Sequence, residues 1–292
     1  MALFPSFVAR ALSILNPYRN KMKKQTQDSP SAPGVRPPVV LAAAAHPDDI
    51  EFMMAGTLLR LKDAGAQIHL WHLANGCHGT AVHGHDEIVR IRGEEGRVSA
   101  ALEGGVSHAP LFDDLAVFYD APSLARVSAV VRDIRPTIIL THSPRDYMED
   151  HQNVCRLVVT AAFSRGMVNV VTDPPRPVWD APVALYHALP HGLCDQLGRP
   201  VAPDLFVNTA PVLERKRAML ACHRSQRDWL DASQGMGAYL EEMVRMGAEV
   251  GRMSGRFACA EGWLRHNPLG FCAETFNPIQ DLLKGDCHAQ TA

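Results

Sequence analysis

Residues 39–60 read VVLAAAAHPDDIEFMMAGTLLR, and this stretch decides the fold. Val39 to Ala45 is an unbroken apolar run, with Pro37-Pro38 before it and His46-Pro47 after it. A short apolar run between turn signals is the pattern of a parallel strand buried on both faces. From Met53 to Ala64 the apolar residues recur at helical spacing. Strand therefore passes to helix through a turn that holds His46, Asp48, Asp49 and Glu51.

The same alternation continues outward. Further strands are predicted at 67–73 and 137–141, with a short one at 110–112. Helices are predicted at 88–102, where Gly104-Gly105 stops the pattern, and at 123–134 and 151–164. Strand and helix taking turns implies an α/β fold: a Rossmann-like, mostly parallel sheet with helices on both faces. Beyond residue 180 the pattern is less regular. Strands at 185–188 and 205–207 and helices at 211–226 and 239–250 read as a C-terminal elaboration.

Ahead of the first strand, residues 25–38 (QTQDSPSAPGVRPP) are polar and Pro-rich, as a linker is. The chain thus divides into an N-terminal extension and linker (1–37), one domain (38–276) and a tail (277–292). Residues 1–24 carry an apolar part broken by Pro5 and Arg10, then the basic residues Arg19, Lys21, Lys23 and Lys24. A signal peptide has its charge first. The segment reads as a loosely ordered extension, with weak membrane-surface contact as the alternative.

Charge excludes one class of function. Lys plus Arg is 29 and Asp plus Glu is 31, for a formal net charge of −2, so no basic excess marks a nucleic-acid binder. The seven cysteines are scattered and have no CxxC pair. A reducing, cytoplasmic setting is expected from them, not a disulfide framework. The sequence does not indicate an oligomeric state.

The chemistry concentrates in two segments, each directly after a predicted strand. The first is AHPDD at 45–49. Two adjacent carboxylates beside an imidazole are costly to crowd together unless a cation offsets them. The second, THSPRDYMEDHQNV at 141–154, adds His142, Asp146, Tyr147, Asp150 and His151. In a parallel sheet both segments project from the same, carboxyl edge. His46, Asp49 and His151 supply nitrogen and oxygen ligands of the kind zinc takes, and three protein ligands leave an open position. Asp48 is then free to act as a base, and Asp150 to orient a ligating histidine. Helix capping by the Asp pair and a solvated charged loop are the plain alternatives.

AHPDD followed by a later Asp-His pair resembles the LmbE/PIG-L family of zinc N-deacetylases. NGCHGT at 75–80, RGEEGRVSAAL at 92–102, KRAMLACHRSQ at 216–226 and AEGWLRHNPLGF at 260–271 are similar to it as well. The resemblance implies an LmbE-like fold and a Zn2+-dependent hydrolase that removes an N-acetyl group from an amino-sugar-containing small molecule or glycolipid. It matches His46, Asp49 and His151 to the zinc ligands and Asp48 to the general base. Arg92 matches a substrate-binding position, against the plain reading that it pairs with Glu94 or Glu95. Tyr147 and His266 are further candidates for substrate contact.

One departure stands out. The family's second motif is often His-Pro-Asp-His, whereas this chain has Met148-Glu149-Asp150-His151. A thioether donates no proton, so the partner acid is open among Tyr147, His142, His191, His223 and His266. Two other functions remain alternatives: a catalytically impaired, metal-containing sugar-binding or regulatory protein, and an amidase acting on a larger conjugate.

Overall fold

The computed structural model describes residues 37–234 and 239–289, and the segment 1–36 lies outside them together with everything anticipated for it. An eight-stranded sheet runs in the order β3-β2-β1-β4-β5-β7-β6-β8. Strands β1 (Val39–Ala44), β2 (Gln67–His72), β3 (Val106–His108), β4 (Ile138–Thr141) and β5 (Ala184–Ala188) are parallel. Beyond β5 the sheet turns antiparallel through β7 (Ala260–Arg265), β6 (Leu205–Asn208) and β8 (Cys287–Ala289). The anticipated fold class holds: an α/β, mostly parallel sheet with a C-terminal elaboration.

β1 explains why the apolar run reads so clearly. Val40 to Ala45 are fully buried, and the run feeds two cores, with Val40, Ala42 and Ala44 on one face and Leu41, Ala43 and Ala45 on the other. Two-sided burial needs two layers of helices. α1 (Asp49–Met53), α2 (Ala55–Asp63) and, through Ala100, α3 (His85–Leu102) pack in the first core, and α4 (Ala121–Ile134) and α5 (Glu149–Phe163) in the second. From β1 the chain builds outward to β2 and β3 on one side, then returns to lay β4 and β5 on the other. The strand order therefore reverses between β1 and β4, and the loops after those two strands carry His46 and His142. Such a switch point is where open α/β sheets form their sites.

The C-terminal motifs have a structural task. Glu261 of β7 accepts the amides of Gly56 (2.8 Å) and Thr57 (2.7 Å), capping the start of α2 from 204 residues away, and Lys216 Nζ neutralises it at 2.6 Å. Trp263 Nε1 donates to Thr57 Oγ1 at 2.9 Å. Gly56 is required there, because a Cβ would stand 2.5 Å from Thr209 and 2.7 Å from Glu261.

Several elements differ from expectation. The third strand is Val106–His108, and of 110–112 Phe112 makes a single bridge with Ala74. The expected helix 211–226 is two helices, α6 (Leu213–Leu220) and α7 (Arg224–Gln234), with a turn at 221–223 that has neither Gly nor Pro to announce it. α8 runs Tyr239–Ser254. Residues from 277 are not all tail: α9 (Pro278–Leu283) buries Ile279 and Leu283, and β8 pairs with β6 because that edge is otherwise open.

Candidate metal centre

His46 and Asp49 reach one point because of a local backbone distortion. Asp48, the residue before α1, has φ +118°, in the left-handed region that costs a non-glycine residue roughly 1–3 kcal/mol. That twist turns Asp48 and Asp49 to different sides of the turn. Asp49 Oδ2 accepts the His46 amide at 2.7 Å and lies 3.3 Å from His46 Nδ1. From the first turn of α5, His151 Nε2 approaches the same oxygen, also to 3.3 Å. Zinc–nitrogen and zinc–oxygen bonds of about 2.0–2.1 Å at tetrahedral angles separate ligand atoms by about 3.3 Å. Both histidines thus stand from Asp49 at the spacing that one tetrahedral cation requires, and the three ligand atoms all lie within 4.8 Å of one another.

Each imidazole is held from behind by a carboxylate. His46 Nε2 is 3.0 Å from Asp150 Oδ2, and His151 Nδ1 is 2.9 Å from Asp146 Oδ1. This fixes the rings so that the other nitrogen faces Asp49, the arrangement usual behind metal-ligating histidines. Asp150 is also anchored by the Leu115 amide at 2.7 Å. The sequence assigns Asp146 no such part; the structure buries it five residues before His151.

The charges tell the same story. Burial would lower the His46 pKa, but Asp150 and Asp49 overcome it and raise it to about 9. Burial likewise opposes a charge on His151, while Asp49 and Asp146 push its pKa up to about 10. Asp49 is held well below the usual carboxylate range, against burial, by His151 and His46. Three carboxylates around two imidazoles are an anionic nest that calls for positive charge, and a divalent cation fits it.

His142 offers a competing ligand set with Asp146 and His151. Its Nε2, however, accepts the Ala45 amide at 2.8 Å, and the ring is stacked under His151 at 4.0 Å. With that lone pair occupied, His142 serves as a floor for the site.

The centre opens into a cavity of about 460 Å3 that His46, Asp48, Asp49 and His151 share with Arg92, Asp114, Tyr147, Met148, His191 and Tyr239. Arg92 is 3 % exposed and pairs with neither Glu94 nor Glu95. Its guanidinium donates to the carbonyls of Pro47 (2.6 Å) and Gly76 (3.2 Å) and lies 3.5 Å from Asp48 Oδ1. The NGCHGT loop wraps it: a Cβ on Gly79 would stand 2.2 Å from Nη1, and one on Gly76 2.6 Å from Nε. Tyr147 lines the cavity and is 56 % exposed.

His266 is a correction. It does not line the cavity; its Nδ1 bonds His187 Nε2 at 2.9 Å, behind β5. His223 is also off the cavity, 3.2 Å from the buried Glu51, which Ser99 and His72 contact too. The polar group that sequence reading missed is Tyr239. Its hydroxyl donates to Asp48 Oδ2 at 2.6 Å from the start of α8, 191 residues away. Burial raises the Asp48 pKa, with Arg92 opposing, so its carboxyl is more basic than an ordinary aspartate.

Comparison with known proteins agrees with this geometry. Residues 41–162 match the family model PIG-L: GlcNAc-PI de-N-acetylase. The diacetylchitobiose deacetylase of Thermococcus kodakarensis is 28% identical over 195 residues, which is 64% of this chain and 69% of that protein. A probable N-acetyl-alpha-D-glucosaminyl L-malate deacetylase 2 of Bacillus cereus is 24% identical over 197 residues, 65% of this chain and 84% of that one. Among solved structures, the N,N'-diacetylchitobiose deacetylase of Pyrococcus horikoshii superposes with TM-score 0.66 at 19% identity, covering 96% of this chain and all of that one. GalB, the 4-carboxy-2-hydroxymuconate hydratase of Pseudomonas putida, gives TM-score 0.64 at 22% identity over 79% of this chain and 97% of its own. A shared fold therefore does not by itself fix the reaction. The sequence match over 41–162 spans both motifs, and through it the chain is similar to the LmbE/PIG-L family of N-deacetylases.

Proposed function

We propose that the protein is a zinc-dependent hydrolase that removes an N-acetyl group from a small amino-sugar conjugate. The observation that carries this is the convergence of His46 Nδ1 and His151 Nε2 on Asp49 Oδ2, each at 3.3 Å, with Asp48 beside them on the cavity wall. His46, Asp49 and His151 would hold the ion. The two curated relatives are named as deacetylases of N-acetylated sugars, which supports the substrate class.

When bound, a zinc ion supplies Lewis acidity toward a carbonyl oxygen and brings the pKa of a water down to about 7 from about 15.7. The chain's own residues do the rest. Asp48 accepts the proton of the attacking water, and its raised pKa makes it a stronger base for that step. Once protonated, Asp48 delivers the proton to the departing amine nitrogen, so the acyl carbon gains an oxygen and loses the nitrogen with no other acid required. Tyr239 and Arg92 hold the carboxylate in place through Oδ2 and Oδ1. Met148 lines the cavity but moves no proton. Tyr147 would contact the sugar, a reading supported by its exposure at the cavity. Asp150 and Asp146 set the two histidine rings.

The seven cysteines are free, consistent with the cytoplasmic setting proposed here. No helix among the described residues is long and apolar enough to cross a membrane. The test is acetate release from a panel of N-acetylated amino sugars by protein of measured zinc content. Release of a larger acid from a bulkier amide would favour the amidase reading. Binding without any release would favour the sugar-binding one.

A further inference from the structure

A second cluster of ligand-type side chains lies outside the centre described above. It sits on the loops that follow β2 and β3, which the Ala74–Phe112 bridge ties together, and on His85, the first residue of the helix His85–Leu102. The Cys77 thiol, a His85 ring nitrogen and an Asp113 carboxylate oxygen fall within 4.8 Å of one another. His85 Nε2 is 3.3 Å from Asp113 Oδ2, the edge length found between His46 and Asp49.

Both of these side chains are also held from behind. His85 Nδ1 is 2.9 Å from Asp86 Oδ1, and the other oxygen of Asp113 accepts from Asn75 Nδ2. A histidine backed by a carboxylate, and a carboxylate backed by a hydrogen bond, are what orient ligands around a metal. The backing repeats that of His46 by Asp150 and His151 by Asp146. Cys77 is set by its own amide, which donates to Asn75 Oδ1 at 3.1 Å. It is the one cysteine that falls in a metal-holding cluster among the described residues.

We propose that Cys77, His85 and Asp113 form a second cation site, selective for a borderline-soft divalent ion such as zinc or cobalt. A sulfur, nitrogen and oxygen set suits those ions and rejects magnesium and calcium. Burial keeps the Cys77 thiol protonated, helped by the nearby Asp114 and Asp113 charges, so binding releases a proton. The overlapping set Cys77, His78 and Asp114 is less suited. Asp114 already takes the amides of Gly76 and His78 on its two oxygens, and His78 Nδ1 points at Sγ itself at 3.1 Å. An ion on Cys77, His85 and Asp113 clips the two loops together. Because His78, Gly79 and Asp114 from the same loops line the cavity, it also fixes one cavity wall.

The experiment uses the full chain, stripped by chelator and titrated with cobalt(II). His46, Asp49 and His151 contain no sulfur, so cobalt there gives visible d–d bands alone. The expected result is a near-ultraviolet thiolate-to-cobalt band that grows with a second equivalent. Cys77→Ser should abolish the band and keep the first equivalent. His85→Gln and Asp113→Asn, at exposed positions, should each weaken the second equivalent by at least about tenfold with unchanged metal-free melting temperature. A protein that saturates without the band overturns the proposal. So does a band that survives Cys77→Ser, or one that His85→Gln and Asp113→Asn leave unmoved. None of these readouts involves turnover, so the outcome is independent of the deacetylase reading.

Discussion

The Tyr239 hydroxyl donates to Asp48 Oδ2 at 2.6 Å, and both side chains are buried in the wall of the cavity. The hydrogen bond joins the start of α8 to the turn between β1 and α1. It fixes the rotamer of the proposed base without occupying its second oxygen. Tyr239 is therefore a positioning residue in a chain that lacks the first histidine of the family's second motif.

Tyr239→Phe should keep its fold and its metal but lose rate. A hydrogen bond to a charged group contributes about 1.5–3 kcal/mol, which corresponds to a fall in kcat of roughly 10- to 150-fold with KM little changed. Steady-state kinetics on zinc-loaded protein, with melting temperature and metal content as controls, decide it. An unchanged kcat would remove Tyr239 from the mechanism.

Gly79→Ala tests the seat of Arg92. A Cβ at Gly79 would lie 2.2 Å from Arg92 Nη1 in a packed, buried setting. Overpacking of this kind costs roughly 1–3 kcal/mol, and the guanidinium must retreat from Pro47 and Asp48. Both melting temperature and turnover should fall. Stability and activity equal to wild type would show that the loop yields freely.

These two residues mark where the sequence stops being legible. His46, Asp49 and His151 could be read because each follows a buried apolar strand, and two-sided burial leaves few other roles for a charged residue at a strand's end. Asp150 was readable as a carboxylate behind a histidine, but the geometry had to show that it serves His46 while Asp146 serves His151. Tyr239 opens an amphipathic helix whose spacing reads as core packing, and nothing in the local pattern links it to Asp48 across 191 residues. β7 escaped because Glu261 and Gly262 interrupt any apolar alternation, and Glu261 is buried solely because Lys216 and two α2 amides meet it. Arg92 could be placed in the site by family resemblance, but its partners are backbone carbonyls, which leave no trace in side-chain patterns.

Metal affinity should rise steeply with pH. In the metal-free fold the His46 and His151 pKa values, about 9 and about 10, lie above the ordinary imidazole value of about 6.5. Each ring must release its proton to ligate, so affinity rises by up to about a hundredfold per pH unit below pH 9. For the metal-free protein the sign is opposite. Raised pKa values contribute stability that is full below about 6.5 and lost as pH rises through 9 to 10. Calorimetric titration in buffers of differing ionisation heat should report close to two protons released per ion. Zero release would contradict the charge state assigned to the nest.

The His69–His108 pair should make the fold acid-sensitive. The rings are stacked with Nδ1 and Nε2 2.8 Å apart, away from the metal centre. Burial lowers both pKa values, and for His108 the His69 charge adds to burial, bringing it to about 4. Folded values below the unfolded value of about 6.5 mean stability that is present above 6.5 and lost as pH falls toward 4. His108→Asn should flatten the decline in melting temperature between pH 7 and pH 4.5. Parallel declines in wild type and variant would assign the acid sensitivity to other groups.

The most direct test of the central claim is acetate release by Asp48→Asn at matched zinc content. The substitution keeps the shape of the side chain and leaves His46, Asp49 and His151 untouched. The account predicts a variant that holds one zinc in the centre as wild type does, yet releases acetate from an N-acetylated amino sugar at least about a hundredfold more slowly. A variant with full zinc and wild-type release would contradict it, because the proton would then pass through some residue other than Asp48.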